Sequence, residues 1–507
     1  MRGALMVCGT TSDAGKSTVV AGLCRLLARQ GVSVAPFKGQ NMSLNSVVTS
    51  EGAEIGRAQW IQAVAARAEP EAAMNPVLLK PTSERSSQVI VMGRPIETQE
   101  AAAYQRAKGA LVGVVDGALA DLRSRYDVVI CEGAGSPAEI NLLGNDIVNL
   151  GLAKRAGIPA VVVGDIHRGG VFAHLFGTFA VLPKDLQRCI RGFIINMFRG
   201  DPALLGDAMD QLEARCGVPT LGVLPHLPGL VLDAEDSLHR MLGAMGEPTE
   251  RPDGGAERLD VVVLRLPRLS NFTDFDPLVM EPGVAVRFVD HPSAFGDPDL
   301  VVIPGTKSTV SDLGWLRSSG ILDVLEARRR APTPPSVLGI CGGFQMLGGT
   351  IEDPDGVESP EPSTPALGWL PLVTHFEVAK TTRLRSGTGP SGASLRGYVI
   401  RHGRTAPRSG WEPWLTLEGT GGEHDVESAQ DAAGLVFGTS LHGLFEEDRF
   451  RGDFLAGVAS ARGRRWQPGR ASFAEAREHQ IDTVADSCAK HLDLGALWQL
   501  VESASTA

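Results

Sequence analysis

The chain has 507 residues, 43% of them hydrophobic and only 5% aromatic, with 60 glycines and 59 acidic against 48 basic side chains. That length exceeds what one hydrophobic core fills, so two domains and a short third piece are expected. The net charge of −11 argues against a nucleic-acid binder, and no stretch is long and apolar enough to read as a membrane span.

The first apolar run, Ala4–Cys8, is too short for the core of a secretory signal and flows into a glycine loop, so it reads as a strand. Cys8-Gly9-Thr10-Thr11-Ser12-Asp13-Ala14-Gly15-Lys16-Ser17-Thr18 then opens the helical pattern Ser17–Gln30, which stops before Gly31. A glycine loop between strand and helix turns successive N–H groups into one concavity at a positive helix end, which is what a phosphate chain needs. Gly9, Asp13, Gly15, Lys16, Ser17 and Thr18 are the expected ATP contacts, with Lys16 against the outer phosphates and the Ser17 or Thr18 hydroxyl offered to Mg2+. The loop holds one residue more between Gly9 and Gly15 than the usual form.

Further uncharged runs at Val128–Cys131, Ala160–Val163, Phe193–Ile195 and Leu221–Leu224 suit strands buried on both faces of a mostly parallel sheet. Glu132 and Asp165 follow two of these runs, at the strand ends where α/β ligands collect, and are candidate metal carboxylates. Around Gly243–Glu257 the periodicity lapses into Gly, Pro, Glu and Arg, as in a linker.

A second series follows at Val261–Leu266, Val284–Val289, Leu300–Ile303, Val337–Cys341 and Leu435–Gly438, interrupted by Pro- and Gly-rich loops near Asp353–Pro365 and Ser386–Ser394. Gly339-Ile340-Cys341-Gly342-Gly343 is the sulfur version of a nucleophile elbow. The helix start behind it lowers the thiol pKa, and the Gly342 N–H can hold an oxyanion, with Gly305 of Pro304-Gly305-Thr306 as its partner. His442, after another strand, is the candidate base; His375 and His402 are rivals for that role. The last pattern, Ala471–Gln499, has helical spacing and is expected to pack on the second domain. The remaining cysteines, Cys8, Cys24, Cys131, Cys189, Cys216 and Cys488, have neither zinc nor redox spacing, and the odd total of seven fits a reducing cytoplasm.

Longer strings narrow the reading. Pro36-Phe37-Lys38-Gly39-Gln40-Asn41-Met42-Ser43-Leu44-Asn45, Met74–Pro81 and Arg268-Leu269-Ser270-Asn271-Phe272-Thr273-Asp274-Phe275-Asp276, with the two motifs above, resemble the cobyric acid synthase family of the cobalamin pathway nearly end to end. The first half is similar to dethiobiotin synthetase, whose phosphate loop carries the same extra residue, and the second to a class I glutamine amidotransferase domain. The resemblance implies an α/β fold in two parts: residues 1–242 binding ATP, a linker at 243–258, and an amidotransferase domain at 259–507 that includes a helical tail from about 471. It implies ATP, glutamine and Mg2+, and a corrinoid substrate, adenosylated cobyrinic acid a,c-diamide, amidated on its b, d, e and g carboxylates. Lys38, Asn41, Ser43 and Asp146 match family strings near the synthetase edge, where they would touch substrate or acyl phosphate or else shape a loop.

Two departures stand out. The usual glutaminase Glu two residues after the histidine is replaced by Leu444, which points to a Cys–His dyad, and His167 stands where the family often has Asp. The sister a,c-diamide synthase and a nucleotide-switched partition-type ATPase remain the alternatives; the second has no use for a thiol site.

Overall fold

The computed structural model describes residues 1–100, 104, 108–230, 257–419 and 425–504. It divides into two compact units, Met1–Ser43 with Thr49–Ser237 and Arg477–Ala507, and Leu44–Val48 with Leu238–Ala476. Most of the expected linker, 243–256, lies outside the described residues.

The first unit is built on β1 (Gly3–Gly9), β2 (Val34–Phe37), β3 (Val128–Glu132), β4 (Ala160–Asp165), β5 (Ile190–Phe198) and β6 (Thr220–Pro225), hydrogen-bonded in the order β6-β5-β4-β1-β3-β2 with every pair parallel. All residues of β3 and β4 are buried, because helices cover both faces of a parallel sheet. Successive β1 residues alternate between two cores: Ala4, Met6 and Cys8 pack on one face, Leu5 and Val7 on the other. Helix α1 (Lys16–Arg29) ends at Gly31, whose φ of 76° suits a residue without Cβ. Residues 40–42, 77–81, 86–91 and 94–100 add a small sheet that the sequence reading missed, and α2 (Arg57–Ala66) lies between its first two strands in the chain.

The second unit repeats the architecture with β7 (Leu259–Leu264), β8 (Val284–Val289), β9 (Leu300–Ile303), β10 (Ser336–Ile340), β13 (Ser428–Gln430) and β14 (Val436–Thr439), in the order β8-β7-β9-β10-β14-β13. Only β13 runs antiparallel to its neighbour. Between β10 and β13 a long hairpin is inserted, β11 (Leu372–Thr388) against β12 (Ser394–Pro407). The loop expected at Ser386–Ser394 is shorter than the sequence reading made it, since both of its ends are paired strand. Lys380, Arg383 and Arg385 break the apolar alternation that would have announced β11. Helix α3 (Gly342–Leu347) starts directly after the elbow.

One expectation is corrected. The C-terminal helices α4 (Phe473–His491) and α5 (Leu494–Ser503) belong, from Arg477 onward, with the first unit rather than the second. Ile481, Val484, Cys488, Leu497 and Val501 fill the core that also holds Leu5, Val7 and Leu27. Glycines make the close approach possible: a Cβ on Gly22 of α1 would lie 2.7 Å from the Cys488 sulfur, and one on Gly3 of β1 would lie 1.9 Å from the Val501 carbonyl oxygen. Glu478, Asp482 and Asp486, four residues apart on one helix face, meet Arg25 and Arg29 at 2.6–3.5 Å.

Leu497 has no exposed surface. Leu497→Ala should lower the unfolding free energy of the first unit by about 2–5 kcal/mol, measured in urea melts; an unchanged midpoint would show that α5 is not part of that core.

Candidate active site

Cys341 sits between β10 and α3 with φ 50° and ψ −105°, a conformation an L-residue adopts only under strain. The flanking glycines are sterically required. A Cβ on Gly342 would come within 2.7 Å of Thr306 Cγ2, and one on Gly343 within 1.8 Å of the Ile303 carbonyl oxygen. The turn therefore presses the head of α3 against the end of β9 and turns the thiol out of the sheet.

His442 follows β14, and its backbone exchanges hydrogen bonds with Tyr398 of β12 at 2.8 and 3.1 Å. Its ring stacks on Tyr398, centroids 5.5 Å apart and planes 26° from parallel. Cys341 is 7% exposed and His442 2%. Burial pushes the Cys341 thiol up. The His442 charge and hydrogen bond, Arg401 and the Gly342 N–H outweigh it, so the thiol lies below its ordinary value. Burial pulls His442 down, but Asp274 and Cys341 more than reverse this and raise it to about 10. Thiol and imidazole are thus tuned toward a thiolate–imidazolium pair. The six other cysteines are all raised, each by burial first.

Gly305 lies beside the pair, since a Cβ there would be 3.0 Å from His442 Cε1. Its carbonyl accepts from Ser270 N at 2.9 Å, and the neighbouring Thr306 hydroxyl donates to Asp312 at 2.5 Å. The rival histidines are elsewhere: His375 pairs with Glu352 at 2.9 Å on a half-exposed strand, and the His402 ring meets the Glu377 carbonyl at 3.1 Å.

A carboxylate stands behind the imidazole of the expected Cys–His pair. Asp274 Oδ2 lies 2.7 Å from His442 Nδ1, and Asp274 Oδ1 accepts the Gly443 N–H at 2.8 Å. Leu444, where other glutaminases have their acid, is buried in an apolar cluster with Leu441 and Phe445. The signal for Asp274 was present in the string Arg268–Asp276, but no local spacing ties it to a histidine 168 residues away.

In the first unit, the phosphate loop runs from Gly9 to the head of α1. Lys16 is buried, and its ammonium donates to the carbonyls of Thr11, Ser12 and Gly135 at 2.8–3.2 Å. Gly9 leaves room for its stem: a Cβ there would be 2.9 Å from Lys16 Cγ. Gly15, at φ 90°, abuts Asn196, which donates to the Ala14 carbonyl at 2.9 Å. Ser17 and Thr18 are half-buried on the first turn of α1, and Asp13 pairs with Arg168 at 2.8 Å.

Glu132, at the end of β3, accepts from Ser17 Oγ at 2.8 Å, Lys38 Nζ at 2.9 Å and the Gln62 amide. Burial alone would raise this carboxyl, but Lys38, Gln62 and Lys16 hold it below the usual carboxylate range. Gln62, on α2, was missed by the sequence reading, because nothing local marks a helical glutamine as a carboxylate partner. Asp165 accepts from His167 N at 2.7 Å and faces Arg168 at 3.6 Å. Asn41 donates to Gln59 at 2.7 Å, and Ser43 N donates to the Leu79 carbonyl at 3.0 Å. Both Asp146 oxygens are taken by backbone N–H groups of Val148, Asn149 and Gly151 at 2.8–2.9 Å, which makes it a loop-shaping residue here. Among the described residues, no three His, Cys, Asp or Glu side chains gather as a metal cluster, and no helix is long and apolar enough to cross a membrane.

Comparison with known proteins matches two family models to this chain. Residues 5–238 match the CobQ/CobB/MinD/ParA nucleotide binding domain, and residues 260–450 the CobB/CobQ-like glutamine amidotransferase domain. A cobyric acid synthase of Nocardia farcinica is 53% identical over 99% of this chain and 97% of its own. One from Streptomyces avermitilis is 51% identical over the same shares, and one from Rhodococcus jostii is 51% identical over 99% and 96%.

Neither Lys38 nor Glu132 has any exposed side-chain surface. Lys38→Met leaves that buried carboxylate without the cation hydrogen-bonded to it and should cost about 3–5 kcal/mol of stability. Adding Glu132→Gln should restore much of the loss. Equal urea midpoints for the single and double variants would rule out a paired buried charge.

Proposed function

The chain belongs to the cobyric acid synthase family, and we propose that it amidates the b, d, e and g carboxylates of adenosylated cobyrinic acid a,c-diamide, using ATP and glutamine. Its relatives and its two matched domains make it a glutamine amidotransferase of the ligase class. The observation that carries the reading is Cys341 on its strained glycine-flanked turn, side chain paired to the buried His442, in a chain that also holds a phosphate loop.

The chemistry divides in two. Cys341 thiolate attacks the side-chain carbonyl carbon of glutamine, and the oxyanion that forms faces the N–H groups of Gly342 and Gly305. The C–N bond breaks as the His442 imidazolium gives its proton to the departing nitrogen, and ammonia leaves. Water then hydrolyses the thioester with His442 as base, releasing glutamate and the thiolate. At the other site a corrinoid carboxylate oxygen takes the γ-phosphoryl group of ATP, giving an acyl phosphate and ADP. Ammonia attacks that carbonyl carbon and phosphate departs, leaving the amide. A free carboxylate is a poor electrophile, which is why ATP is consumed.

Gly9, Asp13, Gly15, Lys16, Ser17 and Thr18 cradle the nucleotide, and Lys16 balances charge on the outer phosphates. Lys38 and Asn41 are assigned to the acceptor side of the phosphoryl group, with Ser43 behind them. The Ser17 hydroxyl and the Glu132 carboxylate form a hard-oxygen pair 2.8 Å apart, which suits Mg2+, with Asp165 at the end of β4 as a second carboxylate. Magnesium bound there would take the place of the Ser17 hydrogen bond on Glu132, whose other partners are Lys38 and Gln62, and would supply further charge neutralisation at the phosphates. A partition-type ATPase has no use for a strained thiol with a paired imidazole. Among the relatives compared above, all are named cobyric acid synthase rather than the sister diamide synthase.

The test is to incubate the protein with the a,c-diamide corrinoid, ATP, magnesium and glutamine, and weigh the product. Four added amide groups support the reading; amidation at the a and c positions of the undecorated acid instead would make it the sister enzyme. Cys341→Ala should abolish glutamine use while added ammonium salt still drives amidation. Lys16→Ala should depress turnover about 100-fold or more with either nitrogen source.

A further inference from the structure

We propose that Asp274 is the positioning residue of the glutaminase site: its carboxylate fixes the His442 ring, with Nδ1 protonated and Nε2 turned to Cys341, so the site is a triad whose acid comes from the Ser270–Phe275 loop. The proposal rests on the glutaminase reading of Cys341 and His442.

A carboxylate only accepts hydrogen bonds, so a contact of 2.7 Å to Nδ1 requires the proton there. The tautomer is thereby chosen, and Nε2 is left to take the thiol proton and later return it. The second Asp274 oxygen is held by the N–H of Gly443, the residue after His442. Carboxylate and imidazole are therefore locked to the same turn, so neither can rotate without breaking a buried bond. Asp274 is 4% exposed, so water does not compete for these contacts.

The surroundings make this loop stiff. Asn271 has φ 52°, a left-handed conformation that asparagine tolerates. Its amide donates to the Tyr398 hydroxyl and to the Ser46 carbonyl, both at 3.0 Å, and Asn45 accepts from Phe272 N at 3.0 Å. Tyr398 in turn covers one face of the His442 ring. The charged or titratable groups facing the imidazole are thus Asp274 and Cys341, with Tyr398 stacked on it and Arg401 acting on the thiol. Leu444 cannot supply the missing acid, being apolar and buried.

The sign follows from the charges. A carboxylate beside the ring favours imidazolium, and imidazolium favours thiolate. Removing the carboxylate must lower the ring's proton affinity and raise the thiol's. The experiment uses the full chain carrying Asp274→Asn, which keeps shape but cannot accept at both oxygens. Glutamate release should fall about 100- to 10,000-fold in kcat, in line with the loss of the orienting acid in other triads, with a small change in KM. Amidation driven by ammonium salt should be retained. The rate of iodoacetamide labelling, followed on the Cys341 peptide by mass spectrometry, should show its acid limb moved to higher pH. Asp274→Glu should recover part of the rate.

Wild-type kcat and an unmoved labelling profile in Asp274→Asn would overturn the proposal. If Cys341→Ala also kept its glutaminase activity, the reading of the site itself would fail instead. Should Asp274→Asn lose ammonium-driven turnover as well, the fold has been hit. The His442 Nδ1 proton in the wild-type protein then decides: a slowly exchanging, strongly deshielded resonance supports the pair, and rapid exchange with water overturns it.

Discussion

A thiol in a dry site is a poor acid unless a positive charge stands against it. Everything in the second unit follows from supplying that charge. Taking an ion out of water costs several kcal/mol even after relaxation, so a buried thiolate needs its imidazolium, and a buried imidazolium needs a carboxylate. Cys341, His442 and Asp274 alternate in sign in that order, and the first two are tuned accordingly. Cys24 shows the contrary case: buried with only Cys131 and Glu132 acting on it, it is driven upward, and at Cys8 the pull of Lys16 is outweighed by burial and Asp146. Burial alone therefore makes a cysteine inert, and the partner decides its chemistry.

The same rule organises the first unit with the signs exchanged. Glu132 is buried at a strand end, and Lys38, Ser17 and Gln62 surround it. Both charged groups stand at the carboxyl ends of parallel strands, where loops converge and helices begin. Small residues keep those loops close: Gly9 beside Lys16, Gly133 beside Asn149, Gly343 against Ile303, Gly305 against His442. A methyl group at any of these would push a neighbouring side chain or backbone segment out of place.

The sequence made the strands and the nucleophile legible because those signals are local. A run such as Ala160–Val163 is uncharged because both faces of its sheet are covered, and the elbow needs glycines within two residues of Cys341. Asp274 was not legible as a partner, since its contact spans 168 residues and depends on how two loops fold together. The docking of α4 was missed for a related reason. Its acidic stripe looks like any solvated helix face until Arg25, 1% exposed, is found beneath it. The hairpin β11–β12 was hidden by charges that its exposed face tolerates.

The string Pro36–Asn45 explains how one short stretch can serve two chemistries. Its early part places Lys38 on Glu132 in the first unit. The chain then passes at Leu44–Val48 into the second unit before returning at Thr49. There Asn45 and Ser46 grip Phe272 and Asn271, on the loop that carries Asp274. Asn271 also holds the hydroxyl of Tyr398, so the imidazole's carboxylate and its stacking ring hang on one clamp. Asn45 and Ser46 thus act on His442 from two sides without touching it. That is why neither Asn45 nor Ser46 looks functional from its own chemistry: they act by fixing the backbone that aims the groups beside the imidazole.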